Sequence, residues 1–363
     1  MIHELGMAMK VKINEKNRER IRIAQRLGQP DQVPVDLSPG AQFNYLHGWL
    51  DLDGRRFFLD PEYIFEAQMR FFERFNVEGT LGPKFGLAVE PSYFGAEIII
   101  RRDTSPWVKP NLDSLDKLEA FLKHYREPDP YTAGYFPVVS QCYFYFKERL
   151  GSLISPPMGF LGPFDTASSL VGHTNMYMWL KDRPDLIHDL LGRVTDFFIK
   201  NLEVRCEVFK PGHTNLSLAD DLCGFLSRED FLEFEFPYIK KLFDAYCDKQ
   251  SLRQFHCDGP LTHVVDLLPE MGVNVLLSFD PTADLKLFKE KIGDRVCLKG
   301  NIHPLKFLRF GNPESIKQEV KRELDSAKAG GGYIMCTGGE LGDGTPDENI
   351  DAMIEATEEF GKY

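Results

Sequence analysis

The chain has no run of 18 apolar residues, which excludes a membrane-spanning helix. It has no surplus of positive charge either. Its 43 Lys and Arg against 55 Asp and Glu leave a net charge of −12, which argues against a nucleic-acid or anionic membrane surface. The N-terminal stretch MIHELGMAMKVKINEKNRERIRIAQRL lacks the apolar centre of an export signal. The seven cysteines are odd in number and follow no framework spacing, so they are expected to be reduced thiols in a cytoplasmic protein. No Gly-x-Gly-x-x-Gly follows the first strand-like run and no Walker-type phosphate loop occurs. Gly330-Gly331-Gly332 precedes a strand rather than opening a helix and is read as a turn. No low-complexity linker divides the chain, which predicts one domain over residues 1–363.

What is present alternates. Strand-like runs occur at Val33–Leu37, Glu78–Leu81, Pro157–Leu161, Thr214–Ala219, Leu252–His256, Val273–Phe279, Val296–Lys299 and Tyr333–Cys336. Amphipathic segments lie between them, among them Pro61–Phe75, Arg183–Phe209, Arg228–Tyr246, Leu305–Ala329 and Pro346–Phe360. Strands alternating with helices imply parallel βαβ units, and eight of them suggest a (β/α)8 TIM barrel. An open doubly wound sheet is the alternative. The first 30 residues predict a helical extension laid across the barrel, and the Pro- and Tyr-rich stretch 101–150 predicts an insertion or lid. Ser227 with Asp230 resembles a capping box, and Thr345-Pro346-Asp347-Glu348 opens the last helix.

In a barrel the chemistry sits at the C-terminal ends of the strands. The fourth candidate strand ends in Asp220-Asp221, the fifth in His256-Cys257-Asp258 and the sixth in Asp280. The seventh ends in Gly300-Asn301-Ile302-His303, and the eighth in Cys336-Thr337-Gly338-Gly339-Glu340. Alternate residues of a strand share a face, so His256 and Asp258 point one way and Cys257 the other. Asp280 before Pro281 reads as a cap, and His303 before Pro304 as a turn residue. Asn301 follows Gly300, which would let the backbone approach a ligand. Asp221, Asp258 and Asn301 are the catalytic candidates. Asp258 is expected to face substrate or to support a metal from behind its ligands.

The stretches FHCDGPLTHVVDLLPEMGVNVLLSFDP, DRVCLKGNIHPLKFL and GGYIMCTGGELGDGTPDENIDAMIEA resemble the uroporphyrinogen decarboxylase superfamily. RIRIAQRLGQPDQVPVDL and LGPKFGLAVEPSYFGAEI are similar to it more loosely. The resemblance implies the (β/α)8 barrel. The superfamily's decarboxylases carry an Arg-x-x-Gly-Arg signature that grips substrate carboxylates. The corresponding stretch here, Leu37 to Leu46, has no arginine, which disfavours a polycarboxylate tetrapyrrole.

The other branch of the superfamily comprises zinc-dependent, corrinoid-linked methyltransferases. Its thiol-methylating members resemble His-x-Cys at strand five with a second Cys near strand eight. Here Asp258 stands at the first cysteine position, and counting back from Thr345-Pro346 puts the second near Gly339, with Cys336 three residues early. The O-demethylating members resemble Glu-x14-Glu-x20-His, and Asp220, Glu235 and His256 repeat that spacing with Asp for the first Glu. The resemblance therefore implies a Zn²⁺ site on Asp220, Glu235 and His256, with Asp221 able to replace Asp220. Glu235 reaches the site only if Pro237 breaks its helix. Two carboxylates and an imidazole leave a position open on zinc, as a catalytic site requires. The implied reaction moves a methyl group from a methyl ether, a methoxyaromatic first of all, to the Co(I) corrinoid of a separate corrinoid protein. Phe85, Tyr93, Phe94 and Phe164 are candidates for an apolar slot. A metal-free lyase using Asp220, Asp221 or Asp258, and a non-catalytic binding barrel, are the other readings.

Overall fold

A computed structural model describes residues 13–37, 42–77, 81–86 and 89–363. Six parallel strands form one sheet in chain order: β3 (Gly159–Leu161), β4 (Leu216–Ala219), β5 (Arg253–His256), β6 (Val275–Leu277), β7 (Cys297–Lys299) and β8 (Tyr333–Ile334). A separate antiparallel hairpin joins β1 (Glu97–Ile99) to β2 (Trp107–Lys109). Two parallel bridges extend the sheet towards closure. Val35 in the first strand-like run pairs with Met335 after β8, and Leu81 at the end of the second pairs with Ile154 before β3. The fold is the expected α/β barrel. Residues 78–80 of the second run lie outside the described residues.

The helices follow from caps and periodicity. Asp60 accepts hydrogen bonds from Glu62 and Tyr63 N–H and opens the Pro61–Phe75 helix, with Pro61 preset at its start. Ile64, Phe65, Gln68, Phe71, Phe72 and Phe75 recur every three or four residues on its buried face. Ser227 Oγ accepts from Asp230 N–H at 3.1 Å, as its position before Arg228 predicts. The Arg228–Tyr246 segment is two helices, Arg228–Phe234 and Phe236–Tyr246, broken at Glu235 where Pro237 cannot continue the first. Among the described residues, no helix is long and apolar enough to cross a membrane.

The expected insertion is smaller than its composition suggested. The Phe136–Leu150 helix packs on the Pro61–Phe75 helix and leads into β3, so it is a barrel helix. Its buried Phe136, Val139, Tyr143, Phe146 and Leu150 have helical spacing that the wealth of aromatics obscured. The inserted part is the β1–β2 hairpin with the Leu115–Lys123 helix.

The extension is a helix over Glu15–Gln25; residues 1–12 lie outside the described residues. Its Ile21 and Ala24 pack against Val275, Cys297 and Ile334. Val275 and Cys297 are the first residues of their strands, so this helix covers the N-terminal end of the barrel, opposite the strand ends that carry the acidic and imidazole groups.

Glu323 lies in the Pro313–Ala327 helix at 1 % exposure, accepting from Tyr333 Oη at 3.0 Å and Asn301 N–H at 3.4 Å. Burial, helped by the nearby charge of Glu319, pushes its carboxyl up from 4.5 to about 8. The folded state thus favours the neutral acid. That contribution is complete below about pH 4.5 and is lost as pH rises through about 8. Glu323→Gln is expected to flatten the pH dependence of urea unfolding across this window. An unchanged slope would show that Glu323 ionises as freely folded as unfolded.

Candidate active site and metal centre

The phase of β4 decides which aspartate faces the barrel interior. Ser217, Ala219 and Asp221 alternate along one face and line the central cavity, while Leu216 and Leu218 are buried on the other. Asp220 continues the outer set. Its carboxylate accepts from Phe164 N–H at 3.2 Å and Asp165 N–H at 2.5 Å, at the start of the Pro163–Val171 helix. Negative charge there meets the positive end of the helix. Asp165 returns the contact, accepting from Asp221 N–H at 2.8 Å and Leu222 N–H at 2.9 Å. Burial first, then the Asp221 charge, raises the Asp165 carboxyl to about 7. An ideal Cβ on Gly162 would lie 1.9 Å from Asp220 Oδ2. Gly162→Ala is therefore expected to push Asp220 off its two amides and destabilise the fold by about 1–3 kcal/mol, as overpacking does. Wild-type thermal and urea midpoints in that variant would contradict this.

The phase of β5 places His256 and Asp258 on the inner face and Cys257 outside, as predicted. His256 Nδ1 is 3.0 Å from Leu277 O, so donation to that carbonyl turns Nε2 into the cavity. Nε2 lies 3.5 Å from Asp221 Oδ1 and 3.5 Å from Asp258 Oδ1. Asp258 N–H donates to Asp221 Oδ1 at 2.8 Å, which ties the two loops together. Burial opposes the imidazolium, but the Asp221 and Asp258 charges outweigh it and raise the His256 pKa. Burial also lifts the Asp258 carboxyl to about 6, against the pull of His256.

Asp221, His256 and Asp258 each offer a ligand atom, and these atoms lie within 4.8 Å of one another. Among the described residues this is the one such group of three or more His, Cys, Asp or Glu side chains. The donors suit zinc: two carboxylate oxygens and one imidazole nitrogen whose other nitrogen is already engaged. The expected set of Asp220, Glu235 and His256 is not assembled. Strand alternation turns Asp220 outward. Glu235 does turn inward at the helix break, but it is fully buried beside Asp220 and Cys223, and neither of its carboxylate oxygens has a hydrogen-bond partner. Burial, with the Asp165 charge, holds its carboxyl well above the ordinary range. Asp258 belongs to the donor group itself rather than behind it.

Asn301 does not line the cavity. It is 2 % exposed, and its Nδ2 donates to Asp280 O at 2.8 Å, tying the loops after β6 and β7 together. Gly300 abuts the Phe279 ring rather than a ligand space, with its ideal Cβ 2.9 Å away. Asp280 accepts from Thr282 N–H, and His303 from Leu305 and Lys306 N–H, as their turn positions implied. Gly339 sits where the second thiolate was counted: its ideal Cβ lies 3.1 Å from Asp258 Oδ2. Cys336 is fully buried outside the cavity lining, and burial raises its thiol to about 12.

The cavity measures about 540 Å³. Phe85, Val89, Val139, Phe160, Leu161 and Leu277 supply its apolar wall. Of the aromatics expected there, Phe85 takes part, while Tyr93, Phe94 and Phe164 are core. Sequence reasoning missed two polar features of the lining. Arg205 pairs with Glu90 at 4.0 Å. Glu340 is held by Asn44 through its backbone N–H at 3.1 Å and its Nδ2 at 3.0 Å. Burial raises the Glu340 carboxyl to about 7, and the Asp258 charge adds to this. Glu340 stood among the strand-end residues, which was its one visible signal. The Arg205–Glu90 pair had none beyond charge.

A barrel with a three-donor cluster at its C-terminal mouth defines the class. The family follows: residues 51–360 match the description "Uroporphyrinogen decarboxylase (URO-D)", and the chain belongs to that family. It is 26 % identical over 311 residues to the uroporphyrinogen decarboxylase of Prochlorococcus marinus (strain MIT 9312), covering 82 % of this chain and 84 % of that one. It is 22 % identical over 314 residues to the enzyme of the same name from Ruthia magnifica subsp. Calyptogena magnifica, covering 83 % and 86 %. A solved structure, "methyltransferase from Methanosarcina mazei", shares the fold with a TM-score of 0.75 at 22 % identity, over 95 % of this chain and 98 % of that one.

Proposed function

We propose that this chain is a zinc-dependent methyltransferase that moves a methyl group from a methyl ether, a methoxyaromatic first of all, to the Co(I) corrinoid of a separate protein. The observation that carries the reading is the Asp221–His256–Asp258 group on the cavity wall. The shared fold with a methyltransferase is consistent with it. Zinc bound there would act as a Lewis acid towards the ether oxygen. The rest falls to the chain. Leu277 O fixes the imidazole, and the Asp258 amide and the Asp165-held loop fix Asp221. The apolar wall would shield the reacting methyl group from water. In the transfer the C–O electron pair stays on oxygen, and the pair on Co(I) forms the new bond to carbon. A cavity of about 540 Å³ suits one small organic donor.

The names of the curated relatives favour a second reading, decarboxylation. That reaction needs cations for the substrate carboxylates. Lys84 and Arg205 are the cations of the described lining, and Arg205 is spent on Asn201, Tyr93 and the carbonyls of Pro157 and Gly159.

The test combines zinc-loaded protein, a reduced corrinoid protein and a panel of methyl ethers, methylamines and thiols, read by corrinoid absorbance. Methylation of the corrinoid with release of the demethylated donor is expected. Metal-free decarboxylation of a pyrrolic or aromatic acid, with no methyl transfer from any donor, would replace this reading by the lyase. The ligand set is tested separately by X-ray absorption. An oxygen and nitrogen shell near about 2.0–2.1 Å and no sulfur near about 2.3 Å are expected. Asp258→Asn should weaken zinc binding because it removes a donor's charge. Full zinc affinity in that variant would place Asp258 outside the ligand set.

A further inference from the structure

The cavity has a second polar feature that the donor group does not use. Its described lining carries four carboxylates, Glu90, Asp221, Asp258 and Glu340, against the cations Lys84 and Arg205, with His256 in the donor group. Arg205 is 2 % exposed and committed. Nε donates to Asn201 Oδ1 at 2.7 Å, Nη2 to Tyr93 Oη at 3.0 Å, and Nη1 to the carbonyls of Pro157 and Gly159. Glu90 faces its charge at 4.0 Å. An incoming carboxylate would have to displace these partners or rely on Lys84.

Glu340 is built differently. Asn44 grips it with two donors, one to each carboxylate oxygen. Asn44 is braced in turn: its Oδ1 accepts from Ser105 Oγ at 3.1 Å. Gln42, Asn44, Ser105 and Glu340 together form a polar edge of the same cavity as the donor group. Each carboxylate oxygen accepts about two hydrogen bonds. One contact per oxygen is filled here, so acceptor capacity remains on a side chain already held in place.

We propose that Glu340 receives a hydrogen-bond-donating head group of the methyl donor, a hydroxyl or an ammonium, and that the cavity discriminates against donors bearing a carboxylate. This deepens the methyltransferase reading and rests on it for the word donor. The attraction is a charge-assisted hydrogen bond at the cavity wall. The discrimination is like-charge repulsion by Glu340 together with the absence of an uncommitted arginine.

The test is calorimetric binding to the zinc-loaded full chain without corrinoid, at a pH above that at which Glu340 ionises. The probes are 2-methoxyphenol for the hydroxyl, trimethylammonium for the cation and 3-methoxybenzoate for the carboxylate. At least one of the first two should bind about tenfold or more tighter than 3-methoxybenzoate, and which one it is identifies the head group. Glu340→Gln keeps an acceptor for Asn44 and should remove most of that difference. Lys84→Met should leave it in place. Tighter or equal binding of 3-methoxybenzoate, or a Glu340→Gln protein with wild-type preferences, overturns the proposal. If the preference holds but no probe methylates any corrinoid partner, the Glu340 site stands and the methyltransferase reading falls.

Discussion

His256→Ala is expected to reduce zinc from about one ion per chain to near none after dialysis against a mild chelator, with the fold retained. His256 supplies the only nitrogen of the donor group, and its ring is held by Leu277 O with Nε2 directed at Asp221 and Asp258. Losing an outer partner of a ligand typically costs about 10–100-fold in metal affinity, and losing the ligand itself costs more. The strand does not depend on the ring, because β5 is held by backbone pairing to β4 and β6. Metal analysis with far-ultraviolet circular dichroism decides the matter. A folded His256→Ala protein with full zinc would move the metal elsewhere, and buried Glu235 would be the first place to look.

The largest effect on stability is expected from Lys299→Met. Lys299 Nζ lies 2.7 Å from Asp36 Oδ2, and the two side chains are 4 % and 3 % exposed. Asp36 lies in the first strand-like run, next to the Val35 bridge to Met335, and Lys299 ends β7, so the pair binds the closing seam of the barrel. Removing one member of a buried pair leaves an uncompensated charge and costs about 3–5 kcal/mol. The double variant Asp36→Asn/Lys299→Met removes both charges and should recover much of that loss. Urea unfolding of the singles and the double checks both statements. Additive losses in the double variant would mean that the pair contributes through packing rather than charge.

The barrel was legible because its signals are local. Caps and helical spacing set the ends of the Pro61–Phe75, Pro184–Phe209 and Asp347–Phe360 helices within a residue, and β-rich runs located the strands. His256 and Asp258 on one face followed from alternation alone. The same rule, started from the apolar Leu216 and Leu218, turns Asp221 rather than Asp220 to the cavity, whereas motif spacing chose its neighbour. Motif spacing counts residues and carries no phase. Pro237 signalled that Glu235 would turn inward, but not that it would stop beside Asp220. Glu340 with Asn44, and Arg205 with Glu90, are contacts across 296 and 115 positions of chain, which no local pattern encodes. The Phe136–Leu150 helix was hidden for another reason: aromatic content drew the eye from a period that was there.

The helix at Glu15–Gln25 has a kinetic consequence. With Ile21 and Ala24 set against the opening strands, the barrel has a floor, and among the described residues the cavity opens at the opposite end. On the proposed function, the small donor and the large corrinoid carrier must share that opening. A carrier seated over it would trap whatever is inside and bar whatever is not. Turnover is then expected to be compulsory in order, donor first and demethylated product last. Initial rates should show excess carrier inhibiting at low donor and the inhibition vanishing as donor saturates; no inhibition by excess carrier at low donor would mean a second way in.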